Sequence, residues 1–392
     1  MTLWLLLGCC PANAETVTAA AEAQEITRQT VLTRNGKRSS KLKEMKDGRY
    51  STFTTVNRGA SIEMTGKNRQ LGGFVLRFFD RATAGTVEAY VDGGWQQVAE
   101  LQPYLSYWYE LPEGAEKARI TNHDKARMYV AEINVYGTGE KPREAPVWHK
   151  LDKADLMLLT AHPDDELLWF GGMIPTYAAE RGYAMQLAVL VPTTPLRRLE
   201  LLDAIWHSGM TAYPAFLGLK DARGKTLEAQ YKLWHKNVVW KKTTAVIRKY
   251  RPEVLLLHDF GGEYGHGAHR VAADAGAHCA ALAADADKYP ESAKEYGTWQ
   301  VKKVYVHLYP ENPIKMDWHQ PLSAFDGKDG LTVATEGLAF HRSQIGNGWG
   351  MEKEGGPNDN SRFGLYATTV GQDSGIGDVM EHIPEADLQP KE

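Results

Sequence analysis

The stretch DLMLLTAHPDDELLWFGG, residues 155–172, joins a short apolar run to a histidine, a proline and three consecutive acids. The run LMLLT has the length and composition of a buried strand, and LWFGGMIPTYAAERG has a helical pattern. The same alternation recurs twice, where QLAVLV precedes RRLELLDAIWHSG and EVLLLHDF precedes HRVAADAGAHCAAL. These strand and helix pairs predict an α/β fold, with a Rossmann-like, mostly parallel sheet and helices on both faces.

The charged residues of this stretch stand at the end of its strand. In open parallel sheets, ligands bind beyond the carboxyl ends of the strands, where the chain leaves a strand for a helix. Pro163 fixes its own backbone and favours an extended His162, so neighbouring side chains can splay around a shared point. The sequence therefore places this charge at the mouth of a site and not in the core.

A different pattern precedes this domain. Between about Val31 and Tyr136, short alternating runs such as FVLRFFD, TVEAYV and YWYEL are separated by Gly, Pro, Asp and Asn. Such runs predict an all-β sandwich. The apolar pattern stops at GEKPREAP, residues 139–146, which indicates a linker. We therefore expect a sandwich at 30–138, a linker at 139–150, the α/β domain at 151–375 and a poorly ordered tail at 376–392.

Length and charge narrow the class of protein. A chain of 392 residues with 43% hydrophobic residues is long enough for two folded domains. The net charge is −4, from 45 basic and 49 acidic residues, with no long run of either sign. This composition does not favour nucleic-acid binding.

The first residues are typical of an export signal. The apolar stretch WLLLG is followed by CCPANA, in which Ala12 and Ala14 fit a cleavage site. Residues 1–14 are thus either a signal peptide cleaved after Ala14 or a lipoprotein signal with lipid on Cys9. The stretch is too short to span a membrane, and no second hydrophobic segment is long enough to do so. We expect an exported protein, whether periplasmic, secreted or a cell-surface lipoprotein, and no disulfide framework for Cys279.

Metal ligands are the chemistry that the histidine and acids favour. His162 and one of the two aspartates supply two zinc ligands, and GGEYGHGAHR, after the strand EVLLLHDF, supplies candidates for a third. His266 and His269 are three residues apart, which places both on one face of a helical turn. The alternative is structural, because acids after a proline often begin a helix. The co-occurrence of both patterns at separate strand ends favours the metal site.

These residues resemble the PIG-L/LmbE family of zinc-dependent de-N-acetylases, from about Asp155 to Asp373. AHPDDE followed by a distal HxxH carries the resemblance, and NSRFGLYATTVGQD, residues 360–373, is similar to the closing segment of bacterial members. The resemblance implies the following roles for individual residues: His162, Asp165 and His269 bind zinc, Asp164 is the general base, His266 assists at the oxyanion or leaving amine, and Arg197, with Glu200 in an RxxE element, holds substrate.

One position departs from the family pattern. The family has an acid directly before the second histidine of the distal motif, where this chain has Ala268. Asp259 and Glu263 are the nearby acids that can replace it. Arg197 also has a second interpretation, as an ion-paired residue at the start of a helix. We interpret seven other histidines as structural, and His258 is the one nearest the predicted mouth. They are His207, His235, His258, His278, His307, His319 and His341.

The chemistry that follows is hydrolysis of an N-acetyl group. Zinc polarises an amide carbonyl and lowers the pKa of water, and another divalent metal can do the same in the cell. Asp164 then accepts the proton of the metal-activated water, and a protonated His266 stabilises the oxyanion. The expected substrate is an N-acetylglucosamine-type glycan or conjugate, and the products are acetate and a free amine.

The front domain has a resemblance of its own. DGRYST at 47–52, LGGFVLRF at 71–78 and YVAEINVYG at 129–137 resemble the discoidin-like, galactose-binding-like fold, also called F5/8 type C. This resemblance implies binding of glycans or cell surfaces, and of calcium in some members. Five aromatic residues are candidates to stack on sugar rings or, alternatively, to fill the core: Trp95, Tyr104, Tyr107, Trp108 and Tyr109.

Two other functions compete with the hydrolase. The first is a glycan-binding surface protein whose hydrolase-like domain is inactive, which Ala268 favours and the retained histidines and aspartates oppose. The second is a nucleotide-binding transferase. It is disfavoured because HPDDE follows the first strand, where a phosphate-binding loop would have GxGxxG.

Overall fold

A computed structural model describes residues 21–345, 350–375 and 377–390. The predicted export signal at residues 1–14 lies outside this part of the chain. Within the described residues, no helix combines the length and the apolar character needed to cross a membrane.

The front part of the chain forms two antiparallel sheets. Their order is β1-β3-β8-β5-β6 in one sheet and β2-β9-β4-β7 in the other. Side chains from both sheets, including Ile62, Val87, Phe74 and Ile133, are fully buried in one cluster, as alternating strands predict. The strands are β1 Thr30–Arg34, β2 Thr54–Val56, β3 Ser61–Gly66, β4 Gly73–Phe78, β5 Gly85–Val91, β6 Gly94–Glu100, β7 Ser106–Glu110, β8 Lys117–Asn122 and β9 Met128–Tyr136.

Most of the front domain's candidate stacking aromatics face inward. Tyr104, Trp108 and Tyr109 are each less than 10% exposed. Tyr104 packs on Tyr213 of the following domain, with ring centroids 4.8 Å apart. Trp95 is half-buried beneath the guanidinium of Arg119. The interpretation of the three buried rings as a sugar-binding surface is therefore wrong, because they fill the core and the contact between domains.

The second domain is built on a seven-stranded sheet with the order β12-β11-β10-β13-β14-β16-β15. The first five strands in this order are parallel, and at one edge β16 pairs antiparallel with both β14 and β15. The sheet is therefore mostly parallel, as predicted. Its strands are β10 Leu156–Thr160, β11 Met185–Val189, β12 Ala215–Phe216, β13 Val254–Leu257, β14 Lys303–His307, β15 Pro313–Lys315 and β16 Arg362–Thr368.

Helices cover both faces of this sheet. Successive residues of β10 belong to different hydrophobic clusters, Leu156 and Leu158 to one and Met157 and Leu159 to the other, so each face of the strand is buried. A π-helix, Ile174–Glu180, follows the first helix. The α-helices are α1 Asp165–Leu168, α2 Pro195–His207, α3 Leu227–Trp234, α4 Lys236–Tyr250, α5 Gly267–Leu282, α6 Pro290–Tyr296, α7 Gly330–Leu338 and α8 Arg342–Ile345.

The helical segment predicted after β10 is broken in two. Gly171 has a φ of 51°, and a Cβ atom there would lie 2.7 Å from Trp318 Nε1. Only glycine fits this close approach in the left-handed region. The break separates α1 from the π-helix.

The linker and the tail both pack on the domains. In the linker, Ala145 and Trp148 are buried, and the Pro146 carbonyl accepts a hydrogen bond from the backbone N–H of Trp108 at 2.7 Å. In the tail, Val379 is buried and the backbone N–H of Gln389 donates to Asp155 at 2.8 Å. The expectation of a poorly ordered tail is therefore wrong for residues 377–390, because apolar and capping contacts hold them.

Candidate active site

Three neighbouring parallel strands end in histidines. His162 lies two residues after β10, His258 directly follows β13, and His307 is the last residue of β14. The strand order reverses between β10 and β13, since β11 and β12 lie on one side and β14 on the other. A switch of this kind opens a crevice at the carboxyl ends of the strands. The sheet therefore brings these histidines to one place.

The three ligands implied by the sequence meet in this crevice. Asp165 Oδ2 lies 3.5 Å from His162 Nδ1, and Asp165 Oδ1 lies 3.4 Å from His269 Nε2. Two ligands of one tetrahedral zinc ion, each about 2.1 Å from the metal, stand ~3.4 Å apart. Each of these two distances thus fits a pair of ligands on one divalent ion. Within the described residues, two groups have ligand atoms close enough to hold one, His162 with His266 and His269, and Asp165 with His258 and His269.

His269 belongs to both groups and has a free donor atom. Its Nδ1 lies 2.8 Å from Glu263 Oε2, and its Nε2 is buried with no hydrogen-bond partner among the described residues. A buried nitrogen without a partner costs free energy unless a ligand occupies it. Because Glu263 accepts a hydrogen bond from Nδ1–H, the Nε2 lone pair is left available to a metal.

Glu263 organises the histidines behind the crevice. Its carboxylate accepts hydrogen bonds from Nδ1 of His258, His269 and His307 at 2.7–2.8 Å, and from the backbone N–H of Asp259 at 3.1 Å. Burial acts to raise the pKa of this carboxyl, but the neighbouring imidazoles hold it well below its usual range. Glu263 therefore stays charged and fixes the proton on Nδ1 of each ring.

His258 lies beside the candidate ligands but its second nitrogen is occupied. Nε2 accepts the backbone N–H of Ala161 at 3.1 Å and stands 3.3 Å from Asp165 Oδ2. With Nδ1 bonded to Glu263, both ring nitrogens have partners. The geometry therefore leaves His258 no nitrogen free for a metal and makes His269 the better candidate ligand.

Asp164 faces the same crevice from a strained backbone. Its φ is 111°, and its backbone N–H donates to Glu166, which also contacts Nε2 of His341 at 2.8 Å. Such conformations are uncommon outside glycine and cluster at functional sites. Burial, and then the charge of Asp165, raise the pKa of Asp164 to about 7, while Arg197 acts to lower it. This carboxyl is thus poised to exchange a proton near neutral pH.

Arg197 lies on α2 and pairs with Asp164. Its Nη2 stands 3.0 Å from Asp164 Oδ1 and donates to the carbonyl of Pro163. Arg197 also lines the cleft. The ion-paired interpretation of this residue describes its position in the structure, while a contact with substrate stays a prediction.

His266 caps α5 at the edge of the cleft. Its Nδ1 accepts the backbone N–H of Ala268 at 3.3 Å. Burial, followed by the charges of His269 and His162, lowers the pKa of His266 to about 3, so the imidazole is neutral at neutral pH. A hydrogen-bonding role with Nε2 as donor therefore fits better than the protonated form expected from the sequence.

Several residues around the cleft were not singled out from the sequence. His307 and His341 were read as structural, and Glu263 was considered only as a replacement for the acid missing at Ala268. Its carboxylate bonds to His269, and its backbone carbonyl accepts the N–H of His266 at 3.1 Å. His258 and His307 could have been identified from the sequence, because both stand at the ends of strands. The cleft is lined by His162, Asp164, Asp165, Leu168, Trp169, Arg197, Asp221, Arg223, Tyr264, His266 and Gln344.

Known sequences resemble the second domain. The model of the PIG-L family, described as GlcNAc-PI de-N-acetylase, matches residues 157–280. A 1D-myo-inositol 2-acetamido-2-deoxy-α-D-glucopyranoside deacetylase of a Nocardioides species is 32% identical over 219 residues, which cover 47% of this chain and 70% of that protein. The corresponding protein of Streptomyces avermitilis is 30% identical, over 48% of this chain and 69% of its own length. Against a relative from Catenulispora acidiphila, 28% identical, the chain spans only 57% of that protein.

Two solved structures are similar to parts of this chain. An N,N'-diacetylchitobiose deacetylase from Pyrococcus horikoshii covers 49% of this chain and 71% of its own, with a TM-score of 0.39 and 17% identity. A family 32 carbohydrate-binding module from C. perfringens covers 29% of this chain and 98% of its own, with a TM-score of 0.26 and 16% identity.

Proposed function

This chain belongs to the PIG-L family of carbohydrate de-N-acetylases, and we propose that it is a zinc-dependent hydrolase that removes the N-acetyl group of an N-acetylglucosamine-type glycan or conjugate. The products are acetate and a free amino sugar. The observation that carries the proposal is the unpartnered Nε2 of His269, which lies 3.4 Å from the Asp165 carboxylate.

His162, Asp165 and His269 are the proposed ligands. The carboxylate of Asp165 accepts the backbone N–H of His162 at 2.6 Å and Nε1 of Trp169 at 2.9 Å. These bonds orient the carboxylate and leave it lone pairs for a metal. Three protein ligands with an open position are the usual arrangement of catalytic zinc.

Asp164 is the proposed general base. A divalent metal at this site polarises the amide carbonyl and makes water more acidic. Asp164 does not bridge the candidate ligands, and its carboxylate is held at the cleft by Arg197. It accepts the proton of the attacking water as the new carbon–oxygen bond forms. Arg197 thus positions Asp164, and its place on the cleft wall also allows it to contact the substrate.

His266 is proposed to act on the carbonyl oxygen of the amide. Its neutral ring has Nδ1 bonded to Ala268, so the proton lies on Nε2. This N–H can donate to the carbonyl oxygen as negative charge develops there. When the carbon–nitrogen bond breaks, the amine takes up the proton that Asp164 removed from water, which completes the hydrolysis.

Two adjacent substitutions test the assignment. We expect Asp165→Asn to lose the metal and the activity together, and Asp164→Asn to keep the metal while turnover falls by at least 100-fold. Asparagine suits the second position because it tolerates a positive φ. Metal content is measured by elemental mass spectrometry, and acetate release from N-acetylglucosamine and N,N'-diacetylchitobiose is measured on the same preparations.

Two results would contradict the proposal. Retention of one metal per chain in Asp165→Asn would remove Asp165 from the ligand set. Absence of metal in the unsubstituted chain after zinc is supplied, together with no acetate release, would favour a glycan-binding protein with an inactive hydrolase-like domain.

A further inference from the structure

A concave pocket on the front domain is lined by five basic side chains. It lies between the edge strand β1 and a 3-10 helix at Ser40–Lys46. Its lining also includes Ser39, Ser40, Val31, Leu32 and Leu42. The basic residues are Arg28, Arg38, Lys43, Lys46 and Lys67.

The positive charge of this pocket is not balanced. Residues 28–67 hold ten Lys or Arg and three Asp or Glu, in a chain whose net charge is −4. None of the acids Glu44, Asp47 and Glu63 lines the pocket, and Asp47 is bonded to Arg49 and Thr52. In the part of the chain that the structure describes, no ion pair involves any of the five cations.

A hydrogen bond fixes Lys46 beside the other positive charges of the pocket. The ammonium of Lys46 donates to the carbonyl of Thr30 at 2.7 Å, which fixes its position. Burial, and then the charge of Lys67, lower the pKa of Lys46. Like charges held in a concave wall favour an anionic ligand, because the ligand relieves this repulsion.

We propose that this pocket binds the anionic groups of an acidic polysaccharide, carboxylates or sulfates carried on a sugar chain. A lipid surface fits less well because the large hydrophobic side chains exposed among the described residues lie outside the pocket. Single-stranded nucleic acid fits less well because no aromatic residue lines it. The choice of a polysaccharide rests on the proposed function, since the second domain acts there on an amino-sugar glycan.

Binding of the full chain to polygalacturonate and to dextran sulfate tests this proposal by isothermal titration calorimetry at low and moderate salt. We expect binding to at least one polymer, weakening of that binding as salt rises, and no binding to neutral dextran. The triple variant Arg38→Gln/Lys43→Gln/Lys67→Gln removes three exposed cations and leaves Lys46 in place, and its affinity should fall at least tenfold.

A matched variant separates the pocket from net charge. The control cations are Arg81, Lys125 and Arg127, which are exposed. Lys125 and Arg127 follow Thr121, which pairs with Ser61 at the start of β3. Lys67 follows Thr65, which pairs with Lys117 near the other end of β3. The two sets therefore lie at opposite ends of the strands. Arg81→Gln/Lys125→Gln/Arg127→Gln should bind the polymer within twofold of the unsubstituted chain.

Three results would overturn the proposal. These are equal weakening in both triple variants, absence of binding to either acidic polymer, and tighter binding to double-stranded DNA or to phosphatidylserine vesicles than to the polymers. The same titration on Asp165→Asn separates the two proposals, because polymer binding should persist in a chain that has lost its metal. If the unsubstituted chain binds an acidic polymer but releases no acetate, the proposed reaction is refuted and the proposed polysaccharide site is not.

Discussion

Glu263 decides how the histidines of the cleft carry their protons. One carboxylate accepts Nδ1–H from three rings, so Nε2 of His269 is left facing Asp165. Carboxylates behind metal-binding histidines set ring orientation and ligand basicity in this way. The residue that resembles a spare acid in the sequence is therefore a main determinant of the candidate metal site.

Replacement of Glu263 tests this role. In Glu263→Gln one amide oxygen and an NH₂ group face three ring nitrogens, so at least one histidine must change its tautomer or lose its bond. We expect zinc affinity to fall by about 10–100-fold, measured by competition with a chelating dye. Glu253→Gln is the matched control, since Glu253 is also fully buried but lies at the opposite end of β13 beside Lys153. Equal losses in both variants would indicate general destabilisation.

The burial of Glu132 predicts a pH-dependent stability for the front domain. It is 2% exposed on β9, and its carboxylate accepts the backbone N–H of Gly48 at 3.2 Å. Burial raises the pKa of Glu132 to about 8, although Gly48 and Arg77 act to lower it. The folded state therefore holds a proton that the unfolded state releases above its ordinary pKa. Stability is present below that ordinary value and is lost as the pH rises towards 8.

Glu132→Gln should remove this pH dependence. The amide oxygen still accepts from Gly48 and carries no charge at any pH. We expect the free energy of unfolding of the variant and of the unsubstituted chain to agree near pH 4.5, and the variant to gain by up to about 1.4 kcal/mol per pH unit between pH 5 and 8. Urea titrations at several pH values measure this difference. A difference that is constant with pH would show that Glu132 does not titrate in this range.

Helix α2 links the two domains to the cleft. Near its start Arg197 reaches Asp164, and further along Asp203 accepts two N–H groups of Arg77 from the front domain, the closer at 2.9 Å. Asp203 also accepts the hydroxyl of Tyr50. Helix α2 therefore carries one residue of the cleft and one partner of an ion pair between the domains. Among the described residues, this is the most buried ion pair between the two domains.

Removal of Asp203 should be strongly destabilising. Asp203→Ala leaves the guanidinium of Arg77, 8% exposed, without its charged partner, and a broken buried pair costs about 3–5 kcal/mol. Asp80→Ala is the control, because Asp80 pairs with Arg198 between the same domains but is more than half exposed, and exposed pairs contribute about 1 kcal/mol or less. Chemical denaturation measures both. Similar small losses would mean that the Arg77 pair contributes no more than a surface pair.

The candidate metal site belongs to the folded molecule as a whole. His162 and His269 are separated by more than one hundred residues along the chain, and β10 and β13 bring them together only when the sheet forms. A ligand that binds the folded state and not the unfolded state stabilises the fold by mass action.

We therefore expect zinc to raise the melting temperature of the chain and a chelator to lower it. Free zinc at about 100 times its dissociation constant should add about 2.7 kcal/mol. Asp165→Asn should show no such response, and calorimetry with and without zinc measures both proteins. An equal response in the variant would place the metal elsewhere.

The sequence by itself determined the local structure and the edge of the sheet at which the candidate site lies. The runs that it marked as front-domain strands correspond to observed strands, and so does the alternation of strand and helix after residue 151. Side-chain periodicity predicts these elements because it reflects which face of an element is buried. It also identified His162, Asp164, Asp165, Arg197 and the two histidines of the distal motif as one group.

Only the tertiary structure decided which nitrogen is free, which charge is paired and which ring is buried. Glu263 meets His307 across 44 residues, Arg77 meets Asp203 across 126, and Tyr104 meets Tyr213 in the contact between domains. Such contacts leave no periodic trace, because they depend on which distant segments pack together. Proton positions and burial follow from those contacts, so no local pattern could specify them.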